Sequence, residues 1–301
     1  ELPTQQIDLG GGVNLELVQI PAGEFSMGDA TGHPDEQPVH RVRVEKPFWM
    51  GRFEITNEQF QRFNVLHDSR LEHGDFLQFS QEERGYSLNA PHQPVCRVSW
   101  HQAMAFCDWL SQVTSKKFNL PGEVQWEYAC RAGTQQALNY GDVGDDFSSH
   151  ANLADASLRK IDSFAPWQLP VDAIPPWRPA DDRFMDGYRV AAPIGSYQSN
   201  KWGLFDMHGN VAEWTRSASG KSPYSAANPD EHADNGHRIV RGGSWYDRPS
   251  HARCGYRTSY RPYQQVYDVG FRVICEDQTD SLPTADSMIG QPPRSGQTSN
   301  P

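Results

Sequence analysis

Residues 98–113 read VSWHQAMAFCDWLSQV. Ser99 stands three residues before Gln102, the spacing of a capping box in which each side chain serves the other's free backbone N–H. Ala103, Phe106, Cys107 and Leu110 then recur at helical spacing. This predicts a helix over 100–112 with one apolar face. Two shorter helices follow by similar reasoning. In EITNEQFQRFN (54–64), Thr56 or Asn57 caps and Phe60 and Phe63 share a face. In NLPGEVQWEYACRAG (119–133), Pro121 sits at the entry, Trp126, Ala129 and Cys130 lie on one side, and Gly133 is the stop. Around these helices stand short strand-like runs: ELVQI (16–20), EFSMG (24–28), VHRVRV (39–44), RIVRGG (238–243) and VGFRVI (269–274). Strands and helices mix without regular βα alternation, so the fold class is α+β with much irregular chain.

Composition narrows the function classes. The 301 residues include Gly 25, Pro 22, Trp 9, Tyr 11 and Phe 14, the profile of a loop-rich chain anchored by large aromatics. With a mean hydropathy of −0.71, no window approaches the ~18–20 apolar residues of a membrane helix, which excludes a transmembrane segment. Acids outnumber bases 38 to 27, and the net charge of −11 argues against nucleic acid, whose binding is driven by Lys and Arg displacing counterions. Cys96, Cys107, Cys130, Cys254 and Cys275 form no CxxC or Cys/His spacing, so neither a zinc site nor a thioredoxin-like motif is readable. The opening ELPTQQ lacks an initiator methionine and reads as a trimmed or mature start; it leaves the compartment open, with export (periplasmic or secreted) favoured. The Pro-rich stretch within 156–185 reads as a packed surface loop and 276–301 as a flexible tail, leaving one domain over 1–275.

Seven ordered blocks carry a resemblance: PAGEFSMG (21–28), FEITNEQF (53–60), PVCRVSWHQAMAFCDWL (94–110), LPGEVQWEYACRAG (120–133), PIGSYQSNKWGLFDMHGNVAEW (193–214), RGGSW (241–245) and GFR (270–272). In these the chain resembles the formylglycine-generating enzyme (sulfatase-modifying factor) family, in the broader branch that includes pyoverdine-maturation and ergothioneine-type members. The resemblance implies a complex variant of the C-type lectin fold. It also implies that Cys130 is bridged to the cysteine after GFR, here Cys275, which is offset by two positions. Independently of the family, Trp100, Trp109, Trp126 and Trp214 read as core. Gly242 and Gly243 either let the backbone approach closely, placing Ser244 and Trp245 at a cleft wall, or form a bulge with packing glycines.

In DMHGNVAEW, Asp206, Gly209, Val211 and Glu213 alternate so that two carboxylates and two carbonyls can share one side of an extended loop, a hard oxygen set suited to Ca²⁺. The family binds calcium at these positions, and a second family site maps onto Asn152, Leu153, Asp186 and Tyr188. Calcium is therefore the expected cofactor. Copper is not expected: the family's oxidase holds Cu(I) between two cysteines shortly after GGS, and Asp247 and Ala252 occupy those positions. Cys254 is the nearest thiol and is out of register. What remains near the GGS turn is Ser244, Asp247, His251 and Arg257, a candidate acid–base pair with an anion anchor. The alternative is that Asp247 caps a turn and the arginines pair with acids. The resemblance implies an oxidase or maturation factor acting on a peptide or protein. The competing function is a non-catalytic module holding a peptide or a glycan.

Overall fold

The computed structural model describes residues 1–72, 85–157, 180–219 and 236–276. Most of the expected Pro-rich loop, and the expected tail from 277 onward, lie outside the described residues; Glu276 itself closes a strand. In chain order the elements are β1 (Thr4–Asp8), β2 (Asn14–Ile20), β3 (Gly23–Met27), β4 (His40–Val44), β5 (Phe48–Gly51), α1 (Asn57–Gln61), β6 (Leu71–Glu72), β7 (Tyr86–Ser87), α2 (Trp100–Thr114), β8 (Lys117–Asn119), α3 (Glu123–Arg131), β9 (Ala212–Ala218), β10 (Arg238–Arg241), β11 (Thr258–Tyr260), β12 (Val269–Gly270) and β13 (Ile274–Glu276). This is a sheet-dominated α+β architecture. Among the described residues no helix is long and apolar enough to cross a membrane.

Five strands form an antiparallel sheet in the order β1-β2-β5-β13-β8. Both of its faces are buried, which is why β2 does not alternate cleanly between apolar and polar residues. Leu15 and Leu17 pack with α2 through Ala103, Phe106, Cys107 and Leu110. Val18 and Ile20 turn to the opposite face and meet Trp126, Ala129 and Cys130 of α3. The apolar stripes expected for both helices are thus the ones used. Ser99 and Gln102 exchange the two bonds of the capping box at the start of α2, and Thr56 and Gln59 do so for α1. α3 ends at Ala132 in the left-handed region, followed by Gly133 at φ +88°.

A second sheet runs β11-β10-β9-β12, with β12 parallel to β9. The single strand expected at 269–274 is divided between the two sheets. Gly270 pairs with Glu213 in the second sheet, and by Ile274 the chain is paired with Met50 in the first. Between them Arg272 turns its guanidinium onto Glu213, which fixes the crossover. The same crossover corrects the expected Cys130–Cys275 bridge. Side chains alternate across a strand: Ile274 faces the α3 side and Cys275 faces the α2 side. The sheet therefore separates Cys275 from Cys130, and all five cysteines are free and buried.

Candidate active site

Beyond Arg241 the chain leaves β10 through Gly242 and Gly243 at φ +93° and +69°, a region L residues rarely adopt. A Cβ on Gly243 would lie 3.0 Å from the His251 carbonyl oxygen and 3.1 Å from Ala252 Cα. The glycines therefore serve close approach, holding the 244–247 turn against 251–252. Asp247 closes that turn: its Oδ2 accepts from the Ser244 N–H at 3.0 Å, and its own N–H donates to the Ser244 carbonyl at 3.0 Å. Trp245 does not stand at a cleft wall. It is buried among Leu88, Val190 and Val211, and Tyr246 faces the opening instead.

The parallel pairing of β12 with β9 places Asp268 beside this turn. Ser244 Oγ lies 2.8 Å from Asp268 Oδ2 and 3.1 Å from Asp247 Oδ2. Both aspartates line a pocket of about 140 Å³, walled by Tyr246, Tyr256, Tyr260 and Tyr267, with Gly243 and Val240 behind. Burial, reinforced by the Asp247 charge, pushes the Asp268 carboxyl up to about 7. Burial also raises the phenols of Tyr256, Tyr260 and Tyr267, so they stay protonated donors.

The four sequence candidates divide three to one. Ser244, Asp247 and His251 come together, although His251 Nδ1 is 3.6 Å from Asp247 Oδ1, beyond hydrogen-bond range. The imidazole is 42% exposed and stacks on Tyr256 at 4.9 Å with an 18° tilt. Arg257 is elsewhere. Its Nε and Nη2 grip Glu123 at 2.8 Å each, and Nη1 donates to the Asp35 carbonyl, so its fork is not offered to a substrate. Arg253 likewise clamps the buried Glu36 and Asp29. Ala252 is fully buried with Leu138, Phe147, Ala151 and Leu153, away from the pocket.

The two loops expected to bind calcium meet each other. Asn210 N donates to the Asn152 carbonyl, and a Cβ on Gly209 would fall 2.0 Å from that oxygen. In the second set, Asp186 accepts from the N–H groups of Leu153 and Tyr188 at 2.8 and 2.9 Å, while Asn152 Oδ1 is buried without a partner. Burial raises the Asp186 carboxyl to about 7. In the first set, Asp206 Oδ1 is buried without a partner, and burial raises this carboxyl to about 6. Glu213, however, gives both oxygens to Arg272 at 2.6–2.9 Å and also accepts the Trp126 indole N–H. Glu54, which sequence reading did not single out, lies fully buried in the same charge cluster. Burial and the charges of Asp206 and Glu213 hold its carboxyl well above the usual range. Each set thus keeps one orphan oxygen that a hard cation could take, Asp206 Oδ1 in the first and Asn152 Oδ1 in the second, whereas Glu213 is already committed to Arg272.

Cys130, Cys254 and His208 also converge, buried, with Cys130 Sγ 3.6 Å from both Cys254 Sγ and His208 Nε2. The imidazole is already engaged: Nδ1 donates to the Ala252 carbonyl and Nε2 accepts from Asn139 N. The cluster sits behind the 252–254 segment and does not line the pocket.

With this geometry in place, comparison with known proteins gives the family. Residues 12–277 match the sulfatase-modifying factor enzyme 1-like domain, and the chain belongs to that family. It is 28% identical to the formylglycine-generating enzyme of Mus musculus, over 90% of this chain and 77% of the relative. It is also 28% identical to the inactive C-alpha-formylglycine-generating enzyme 2 of Bos taurus, over 88% and 90% of the two chains. Among solved structures it is similar to PvdO from Pseudomonas aeruginosa, with a TM-score of 0.68 and 27% identity, covering 90% of this chain and 98% of that one.

Proposed function

We propose that this chain is a copper-independent member of the family, an oxidase or maturation factor that receives a peptide-type substrate in the Asp247–Asp268 pocket. One observation carries the reading. Where the family resemblance puts the two copper thiolates, Asp247 opens into a tyrosine-walled pocket and Ala252 is turned into an apolar cluster. Cu(I) is selected by soft sulfur, and no sulfur lines that pocket. Within it Asp268, raised to about 7, is suited to taking or giving a proton near neutral pH. Ser244 holds the two carboxylates in register, and the phenols can donate to substrate oxygens.

Calcium belongs to the same proposal as a structural ion at each of two sites, one in the 206–213 loop and one between the 152–153 and 186–188 segments. It is supported by the orphan oxygens of Asn152 and Asp206, with Asp186, Leu153, Tyr188, Gly209 and Val211 as the other donors. The C-type-lectin-like variant of the fold is the finer architecture we infer. The second reading, a non-catalytic peptide or glycan module, is favoured by the same lack of sulfur in the pocket.

The test has two arms. Aerobic incubation with a Cys-x-Pro-x-Arg peptide, with and without copper, is expected to give no formylglycine by mass spectrometry. Stoichiometric copper together with formylglycine would return the chain to the copper oxidases. Peptides selected for binding are expected to lose it when Thr258→Trp plugs the pocket, and binding indifferent to that variant removes the cleft assignment.

A further inference from the structure

Two carboxylates meet at one serine hydroxyl, and the proton count there is informative. Ser244 Oγ has a single hydrogen, while its contacts are Asp268 Oδ2 at 2.8 Å, Asp247 Oδ2 at 3.1 Å and the Tyr246 N–H at 3.2 Å. The hydroxyl can donate to one carboxylate only, and Asp247 is left with the Ser244 N–H. Among the described residues neither aspartate pairs with a lysine or an arginine. Arg241 borders the pocket, but its guanidinium is spent on Glu127 and on the carbonyls of Gly255 and Tyr256. The pocket thus gathers two carboxylates with no ion-paired lysine or arginine among the described residues; the nearest cationic partner of Asp247 is the His251 imidazole at 3.6 Å, and the other walls are four tyrosines with Val240, Thr258 and Val269.

We propose, resting on the cleft reading above, that this pocket recognises an organic cation, the guanidinium or alkylammonium head of a substrate side chain, between Asp247 and Asp268. Charge-assisted hydrogen bonds to the two carboxylates supply the strong contacts, and a guanidinium fork can bridge both. Tyr246, Tyr256, Tyr260 and Tyr267 line the same cavity, and a ring face, unlike a ring edge, attracts a nitrogen cation. A hard metal would need six or more oxygens, whereas this cavity supplies two carboxylates and phenols. An anion would be repelled. A volume of about 140 Å³ is many times the ~10–15 Å³ that one water requires on that measure, so such a head group is admitted.

The experiment compares n-butylguanidinium with n-butylurea, its neutral near-isostere, by calorimetric titration of the full chain at pH 8 with chelator present. The expected result is saturable binding of the guanidinium, at least tenfold weaker binding of the urea, and at least tenfold loss for the guanidinium in both Asp247→Asn and Asp268→Asn. Asp247 is 30% exposed, so its variant carries the test if Asp268→Asn fails to fold. Equal affinity for the urea, or cation binding unchanged in Asp247→Asn, overturns the assignment, as does no binding of either probe. These failures are separable from failure of the cleft reading, which is decided by whether selected peptides respond to Thr258→Trp.

Discussion

Buried acids occur in two kinds of place in this molecule. Beneath α3, Glu127 receives Arg131 and Arg241, Glu123 receives Arg257, and across the crossover Glu213 receives Arg272. Every one of these carboxylates meets a guanidinium. Around the pocket and in the 186–206 loops, Asp268, Asp186 and Asp206 are also buried, their carboxylates bond no guanidinium among the described residues, and burial lifts their pKa values toward neutrality. Removing a charge from water is costly. One set of buried acids is neutralised within the fold, and the other is held by hydrogen bonds from backbone and hydroxyl groups.

The contrast can be broken most severely at a paired acid. Arg272→Met strands Glu213 against a sheet, and the expected loss is about 3–5 kcal/mol in a denaturant titration. A near-neutral result would mean that the pairing does little for stability. Chelation comes next. If calcium is the positive guest of the loop acids, EDTA lowers Tm by roughly 5 °C, and Asp206→Ala or Asp186→Ala removes most of that difference. Identical melting curves would disconnect these loops from calcium.

Asp268→Asn probes the same logic with the opposite sign. Burial pushes the folded-state carboxyl up to about 7 from the ordinary 3.8, so between those limits the native state binds more protons than the unfolded one. Its contribution to stability therefore falls as pH rises through that window. The asparagine variant should be more stable than the parent at pH 8, by roughly 1–3 kcal/mol given ~1.4 kcal/mol per unit, and the gain should vanish near pH 4. A variant less stable than the parent at pH 8 contradicts the unpaired state of Asp268. The smallest effect belongs to His251→Ala. An exposed pair at 3.6 Å is worth below about 1 kcal/mol, and a larger loss of stability would mean that the stack on Tyr256 matters more than the charge.

Much of the fold was legible because its signals are local. The capping boxes at Ser99 and Thr56 and the apolar stripes of α2 and α3 depend on residues within one or two turns. The strands β5 and β9 escaped notice because both of their faces are covered, so Trp49 and Trp214 sit in runs without period-two alternation, and the three residues of β8 are too few to show a period. The 269–274 run has the composition of one strand, and only tertiary pairing shows that it changes sheets. The site was legible in the same proportion. Ser244 and Asp247 announce themselves beside a GG turn. Asp268 had no sequence signal, because the parallel β12–β9 pairing alone brings it to Ser244 from 24 residues away. Arg257 misled for a related reason: its partner Glu123 lies 134 residues earlier, and nothing in the local pattern reveals that the fork is occupied.

The position of Ala252 limits what substitution can do to this turn. Its methyl group points into the cluster of Leu138, Phe147, Ala151 and Leu153, with Gly243 pressed against it, whereas Asp247 opens to the other side. Writing cysteine at both positions would set one sulfur in the cavity and bury the other among apolar side chains that do not line it. Placing two thiols in one cavity would therefore take more than substitutions at these two positions. The backbone of 251–254 would have to rotate first.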